Sequence, residues 1–239
     1  PMVRFLATRG HEIIVSERNA EMAAALKASH SIAVANNQTV LDRSDVVFLC
    51  LRPHVARDVI AQLMFRTEHQ IVSVMAGVTL AELAALCAPA IDITLTIPLG
   101  YLEQGGCPMP ACPRAVTLRS LFEPENPVLE VPQEAAFDKH FAVCAFVPGV
   151  LDLMTTAAEW LGEQTGESEL AAVYTRQLVA GVLTALPDGG AGVLEAARDA
   201  LATEGTLSLQ MTETLRQGGA HEVLRAALDA IGARLEGAP

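Results

Sequence analysis

The sequence is short of several things at once, and each shortage removes a class of function. Aromatic side chains are 4% of the 239 residues, tryptophan occurs once, and lysine occurs only at Lys27 and Lys139. Basic residues number 16 against 28 acidic ones, a formal charge of −12. That balance argues against nucleic acid or anionic lipid as a partner. The five cysteines, Cys50, Cys87, Cys107, Cys112 and Cys144, are an odd set without a Cys-x-x-Cys pair. They read as reduced thiols of a cytosolic protein rather than as a disulfide frame. Cys107 and Cys112 have no histidine nearby in the sequence, and the six histidines are scattered, so no metal site is expected. No apolar run approaches the roughly 20 residues of a bilayer span. The longest, residues 142–154, carries Asp152 and reads as a core helix. No basic-apolar leader opens the chain, and no Gly-x-Ser-x-Gly elbow marks a serine nucleophile. The expectation is a cytoplasmic globular protein with no membrane partner.

What is abundant is apolar mass: 51% of residues are hydrophobic, enough for a sizeable core. Residues 1–132 alternate short β-branched runs with alanine-rich stretches. Strands are expected over 12–16, 46–51, 70–75 and 91–97, with helices over 20–29, 55–64 and 80–87. A short helix over 114–122 and a strand over 127–131 follow. Strands alternating with helices imply right-handed βαβ units, hence an α/β domain with a parallel sheet. From about residue 133 no β-rich run remains. Tyr174, Leu178, Val182 and Leu186 recur four apart, as do Val223, Ala227 and Ile231, the spacing of helices. We therefore expect a dinucleotide-binding type of domain over 1–132 and an all-helical domain over 133–239. Charge follows the same division. Residues 1–132 carry 10 basic and 13 acidic side chains, whereas residues 133–239 carry 6 and 15. The basic groups gather in the half where an anionic ligand is expected.

The opening is unusual. A doubly wound sheet ordinarily begins with a strand, a glycine-rich turn and a helix, whereas this chain begins within a helix that reaches a C-cap at Gly10. No Gly-x-Gly-x-x-Gly precedes the strand at residue 12, so the strongest phosphate-cradling signal is missing. The preferred reading is that a first strand and its glycine-rich loop lie upstream of Pro1. A parallel sheet lacking its central strand would leave two unsatisfied edges in its middle. Loss of the loop is the alternative.

Two segments carry a family resemblance. Asp45-Val46-Val47-Phe48-Leu49-Cys50-Leu51-Arg52-Pro53 resembles the D-V-V-[FI]-L-A-V-K-P segment of the pyrroline-5-carboxylate reductases. Val72-Ser73-Val74-Met75-Ala76-Gly77-Val78-Thr79 is similar to their V-S-[IV]-A-A-G-V-[ST], at similar spacing. Glu204-Gly205-Thr206, with Leu215 and Gly218-Gly219, resembles their glycine-threonine turn before the last helices. Pro1-Met2 and Arg9-Gly10-His11 resemble the first helix of 3-hydroxyacid dehydrogenases. A lysine of that second family has its nearest counterpart in Lys139, but without the surrounding glycines and asparagine.

The resemblance implies a Rossmann-like domain, a helical dimerisation domain, a homodimer and a role in proline biosynthesis. It implies hydride transfer from NADPH to a small imine. A dehydrogenase of another small keto or hydroxy acid, or a cofactor-binding paralogue without turnover, is the alternative. In such folds the ligand lies at the carboxyl ends of the strands. Ser16, Arg18 and Asn19 would then meet the adenine ribose and favour the 2′-phosphate of NADP; ordinary helix capping is the competing reading. Glu17 could instead bond the 2′-hydroxyl of NAD. Leu51, Arg52 and Pro53 would turn against the cofactor, with a surface ion pair the alternative for Arg52. Ala76 and Gly77 would admit the nicotinamide side, since glycine has no Cβ to clash. Pro98 ends the fourth expected strand where the family has M-P-N, but Leu99 replaces the asparagine. Thr206 is the catalytic candidate, as a hydrogen-bond partner of the substrate. Cys144-Ala145-Phe146-Val147-Pro148-Gly149 replaces the family's S-G-S-G-P-A with apolar bulk, which turns the expectation away from pyrroline-5-carboxylate itself.

Overall fold

The β-branched runs of the first half become strands, which favour such side chains on a pleated surface, and short helices separate them. In the computed structural model, which describes residues 1–235 and 237, α1 (Met2–Ala7) leads to β1 (Ile13–Ser16), α2 (Ala20–Ser29), β2 (Ile32–Ala35) and α3 (Asn37–Asp42). Next come β3 (Val46–Leu49), α4 (Pro53–Ile60), β4 (Gln70–Ser73), α5 (Leu80–Leu86) and β5 (Asp92–Thr96). A 3-10 turn at Leu102–Gln104 precedes β6 (Met109–Cys112), α6 (Val116–Phe122) and β7 (Val128–Glu130). Thereafter the described chain is helical: α7 (Glu134–Cys144), α8 (Phe146–Thr165), α9 (Ser168–Thr184), α10 (Val193–Leu201), α11 (Leu207–Gln217) and α12 (Ala220–Leu235). Asn19, Asn36 and Thr79 cap α2, α3 and α5 by accepting from the backbone N–H of Met22, Thr39 and Glu82. Pro53 opens α4, where its missing N–H costs nothing.

The strands form two separate sheets. β1 and β2 are a parallel pair, and β3, β4 and β5 run parallel in a five-stranded sheet ordered β3-β4-β5-β6-β7. The expected parallel sheet is present, and it carries one antiparallel pairing toward its far edge. There β6 pairs antiparallel with β5, and β7 runs parallel to β6. The reversal is possible because only a 3-10 turn, and no α-helical crossover, lies between β5 and β6.

The core of this unit is built around Phe122, which is fully buried. It stacks on Phe5 at 5.6 Å between ring centroids and meets the edge of Phe48 at 6.3 Å. Leu102, Met109 and Leu118 complete it without exposure. A polar knot closes α3. The Arg66 guanidinium donates to the carbonyls of Leu41, Asp42 and Ser44 at 3.2, 2.9 and 3.1 Å. Leu41 and Asp42 lie in the last turn of α3, where carbonyls have no partner further along the helix, and Ser44 follows its C-cap. The Arg66 N–H donates to Nδ1 of buried His69 at 3.1 Å, which leaves Nε2 to donate to Leu41 at 3.1 Å. Cys50, Cys87, Cys107 and Cys112 form no disulfide; burial pushes Cys87 and Cys112 up to about 11, so both are protonated at neutral pH.

Two compact units result: Pro1–Phe141 with the chain end from Arg234, and Ala142–Ala233. The composition changes near residue 133, but the first unit continues to Phe141. Phe137 is buried to 1%, and the Glu134 carboxylate accepts from the Leu80 N–H at 2.7 Å, holding α7 to this unit. In the second unit Gly162 lets α8 approach the start of α9, for a Cβ there would stand 3.1 Å from Ser168 Cα.

Residues 142–154, read from sequence as a core helix, are not one. Val147, Leu151 and Leu153 on α8 are about half exposed or more, and Trp160 is 62% exposed. The helical stretch 134–165 is long and apolar enough to cross a membrane, with a mean hydropathy of 1.7 over its best window, of which 6% is buried. The sequence reading missed this because a strict apolar run stops at the first charge, whereas a helix averages over its turns. Leu170, Leu194, Leu207, Met211 and Val223 are exposed as well, so the apolar surface extends over α9 to α12.

Candidate functional site

The carboxyl end of β1 and the carboxyl end of β3 open onto one cavity of about 610 Å³. Its size falls within the range of small-molecule sites. Val15 and Ser16 end β1, Arg18 and Asn19 lead into α2, and Cys50, Leu51 and Arg52 follow β3. Met22, Ala23 and Leu26 of α2 form the remaining wall, at the spacing that puts them on one helical face. The strand ends place these groups. A strand held in its ladder delivers its carboxyl end at a fixed point, and the next residues turn over that edge before the helix begins.

Five of the residues singled out in the sequence therefore meet here: Ser16, Arg18, Asn19, Leu51 and Arg52. Their chemistry is not equal. The Asn19 side chain is committed to its cap, with Oδ1 accepting from Met22 at 3.0 Å, so the capping reading holds for it. Arg18 and Arg52 are exposed, and among the described residues neither guanidinium has a hydrogen bond or ion pair. The ion-pair alternative for Arg52 is thus not what the structure forms. Glu17 lies between two lining residues yet does not line the cavity. Two positive groups and one hydroxyl at the mouth, with no carboxylate in the lining, suit a dianionic phosphate better than a sugar hydroxyl.

The other expected residues lie elsewhere. Pro53 is the first residue of α4 and is exposed. Ala76 and Gly77 follow β4, and Pro98 follows β5. They continue along the carboxyl edge of the β3–β5 sheet but do not line this cavity. Gly77 has φ +70° with open space where a Cβ would stand, so its backbone angle, not crowding, requires glycine. Thr206 belongs to the second unit. It caps α11, its Oγ1 donating to the Thr203 carbonyl at 2.7 Å and accepting from the Leu209 N–H at 3.2 Å.

Two groups escaped the sequence reading. Cys50 was counted only as a thiol, although its place directly after β3 marks it as a lining residue. Thr96, fully buried at the end of β5, has a side-chain oxygen without a hydrogen-bond partner. Nothing local in its strand pattern distinguishes it. Among the described residues no three His, Cys, Asp or Glu side chains gather as a metal site.

These features define a class: an α/β unit of the Rossmann type, with its cavity at strand carboxyl ends, followed by an all-helical unit. The comparisons narrow the fold. Residues 2–77 match the model of a family described as NADP oxidoreductase, coenzyme F420-dependent. No curated protein matches the sequence. Among solved structures, a pyrroline-5-carboxylate reductase from Coxiella burnetii is 20% identical with a TM-score of 0.84, covering 99% of this chain and 93% of that one. The Plasmodium falciparum pyrroline carboxylate reductase with NADP bound is 12% identical with a TM-score of 0.81, covering 99% and 92%. A reductive aminase from Aspergillus terreus in complex with NADPH and ethyl levulinate is 15% identical with a TM-score of 0.60, covering 99% and 89%. The chain shares the fold of the pyrroline-5-carboxylate reductases over nearly its full length.

Proposed function

We propose that the protein is an NADPH-dependent oxidoreductase that reduces a small imine. The observation that carries the reading is the pair of unpartnered guanidinium groups, Arg18 and Arg52, at the cavity between the carboxyl ends of β1 and β3. These residues fit the 2′-phosphoadenosine end of the dinucleotide: Arg18 binds the phosphate as a charged fork, Ser16 donates a hydroxyl, and Leu51 offers an apolar wall. When bound, reduced nicotinamide supplies a hydride, and with a proton from solvent a C=N bond becomes CH–NH. The solved structures of this fold include reductases of a cyclic imine and a reductive aminase, which supports the C=N substrate class.

Thr206 is the residue on which a second reading turns. Its hydroxyl already donates and accepts within the α11 cap, which favours a cofactor-binding protein without turnover. NADPH fluorescence titration followed by NADPH oxidation with a panel of cyclic imines separates the two. Turnover of any imine supports the reductase. Binding with no turnover across the panel supports the second reading, and no binding overturns both.

The helical unit associates, in this reading, with a second copy of itself. Its exposed apolar side chains extend over α8 to α12 rather than one helix. A bilayer would have to take up Asp152, Glu159 and Glu163 of α8 as well, at a cost of several kcal/mol. Sedimentation at low micromolar concentration is expected to show a dimer burying well over ~2,000 Å². A monomer there refutes the association.

A further inference from the structure

The turn between α9 and α10 is loosely held. Its residues 187–192, Pro-Asp-Gly-Gly-Ala-Gly, are all exposed. Pro187 has no N–H, and among the described residues the N–H groups of residues 188–192 find no acceptor. Two of its carbonyls are engaged, both at the start of α10: Gly190 accepts from Val193 at 3.4 Å and Gly192 from Ala196 at 2.9 Å. The Asp188 carboxylate has no hydrogen bond or ion pair among the described residues. Asp188-Gly189 is also the one Asp-Gly pair in the sequence.

An aspartate side chain can close a five-membered ring with the amide nitrogen of the residue that follows it. Two things ordinarily prevent this. A helix engages that amide with the carbonyl four residues back, and a side chain on the following residue crowds the ring. Asp152-Leu153, Asp199-Ala200 and Asp229-Ala230 have both protections, lying within α8, α10 and α12. Asp188 has neither, since the turn is not helical and Gly189 carries no Cβ. Packing also selects that glycine. A Cβ on Gly189 would stand 2.5 Å from Cγ2 of Val193, the first residue of α10. The contact that seats α10 thus keeps beside Asp188 the residue that leaves it unguarded.

We propose that Asp188 is a site of self-modification, at which the folded protein converts aspartate to isoaspartate and so creates an acceptor for a carboxyl methyltransferase. The Gly189 nitrogen attacks the side-chain carboxyl carbon of Asp188. The new C–N bond forms as the amide proton and the carboxyl oxygen leave as water, giving a succinimide. Water then opens the ring. Cleavage at the former side-chain carbonyl restores aspartate, whereas cleavage at the main-chain carbonyl leaves the chain running through the side-chain carbon. No oxidant or reductant takes part, and the composition is unchanged. The isomer lengthens the main chain between α9 and α10 by one methylene and bears a free α-carboxylate. That carboxylate is the group esterified by an enzyme using a sulfonium methyl donor. The inference is independent of the cofactor and substrate readings, because ring closure uses only this turn and water.

The test ages the folded protein, the same protein unfolded in guanidinium, and Asp188→Glu in warm neutral buffer made with heavy-oxygen water. Asp188→Glu keeps the charge in an exposed turn but would need a larger ring. Peptide mass spectrometry locates the incorporated oxygen, and an isoaspartate-specific carboxyl methyltransferase with a labelled methyl donor counts the acceptors. Heavy oxygen should enter the folded chain at Asp188 ahead of Asp152, Asp199 and Asp229. The folded rate at Asp188 should lie within about fivefold of the unfolded rate, because a segment without protecting hydrogen bonds behaves like unfolded chain. Methyl acceptance should disappear in Asp188→Glu. A folded rate slower than that limit, methyl acceptance that persists in Asp188→Glu, or heavy oxygen spread evenly over the aspartates of the folded chain would each overturn the proposal.

Discussion

Replacing Arg18 with alanine is the sharpest perturbation of the candidate site, because it removes one charge and leaves the wall of α2 intact. Two unit charges about 4 Å apart attract by about 1 kcal/mol in water and about 4 kcal/mol at an effective dielectric of 20. Arg18 is exposed, so its pair with a 2′-phosphate belongs to the lower half of that range. A loss of about 1–2 kcal/mol corresponds to roughly 5–30-fold weaker NADPH binding. NADH carries a hydroxyl where NADPH carries the phosphate, and its affinity should change by less than about twofold. Cofactor fluorescence titrations at low and high salt provide the readout. Raising salt should shrink the difference between wild type and variant, since an exposed pair is screened over about 10 Å at 0.1 M ionic strength. Arg18→Lys should restore part of the loss as a point charge without the planar fork. Equal weakening of NADPH and NADH in Arg18→Ala would show that Arg18 shapes the loop, and the phosphate assignment would fall.

Three further outcomes follow from the packing. His69 is held neutral, its pKa lowered first by burial and then by the Arg66 charge. Stability should therefore be full above the free imidazole range near ~6.5 and decline as pH falls below it. Melting curves of wild type and His69→Gln between pH 8 and 5 should show a lower Tm for the variant at pH 8 but a flatter acid slope; an unchanged slope assigns the titration elsewhere. Phe122→Ala should cost about 3–5 kcal/mol in urea unfolding, because it empties the space between Phe5 and Phe48. A loss under about 1 kcal/mol would mean that α1 collapses onto the void. Gly77→Ala should cost about 1–2 kcal/mol from backbone strain alone, as no neighbour obstructs the added methyl. A neutral result would show that the loop after β4 relaxes freely.

Legibility in the sequence tracked how local each cause was. β3 was readable as the continuous apolar run Val-Val-Phe-Leu, and β4 and β5 from their β-branched residues between turn signals. β2 was passed over, being only Ile-Ala-Val-Ala between two polar clusters. β6 was passed over because it contains Pro110, which ordinarily excludes a strand from the body of a sheet. Its β5 pairing involves only Ala111 and Cys112, so the missing N–H of Pro110 falls outside that ladder. At the site, Ser16, Arg18, Leu51 and Arg52 were legible because strand ends are themselves legible. The commitment of Asn19 to its cap follows from a helix start that the sequence also displays. The exposure of α8 was not legible. An apolar helix has the same composition whether its own chain covers it or another surface does.

The lone indole has an optical consequence. Trp160 stands on the exposed face of α8, and the chain has no other tryptophan. Its emission in the separate chain is that of a wetted ring, and it moves to shorter wavelength only when something apolar covers that face. If a second copy covers that face, as proposed, dilution should produce a spectral shift from one known position, on a helix where Leu153, two turns away on the same face, would be covered in the same event. The molecule carries its own colour indicator for whether its greasy half is dressed.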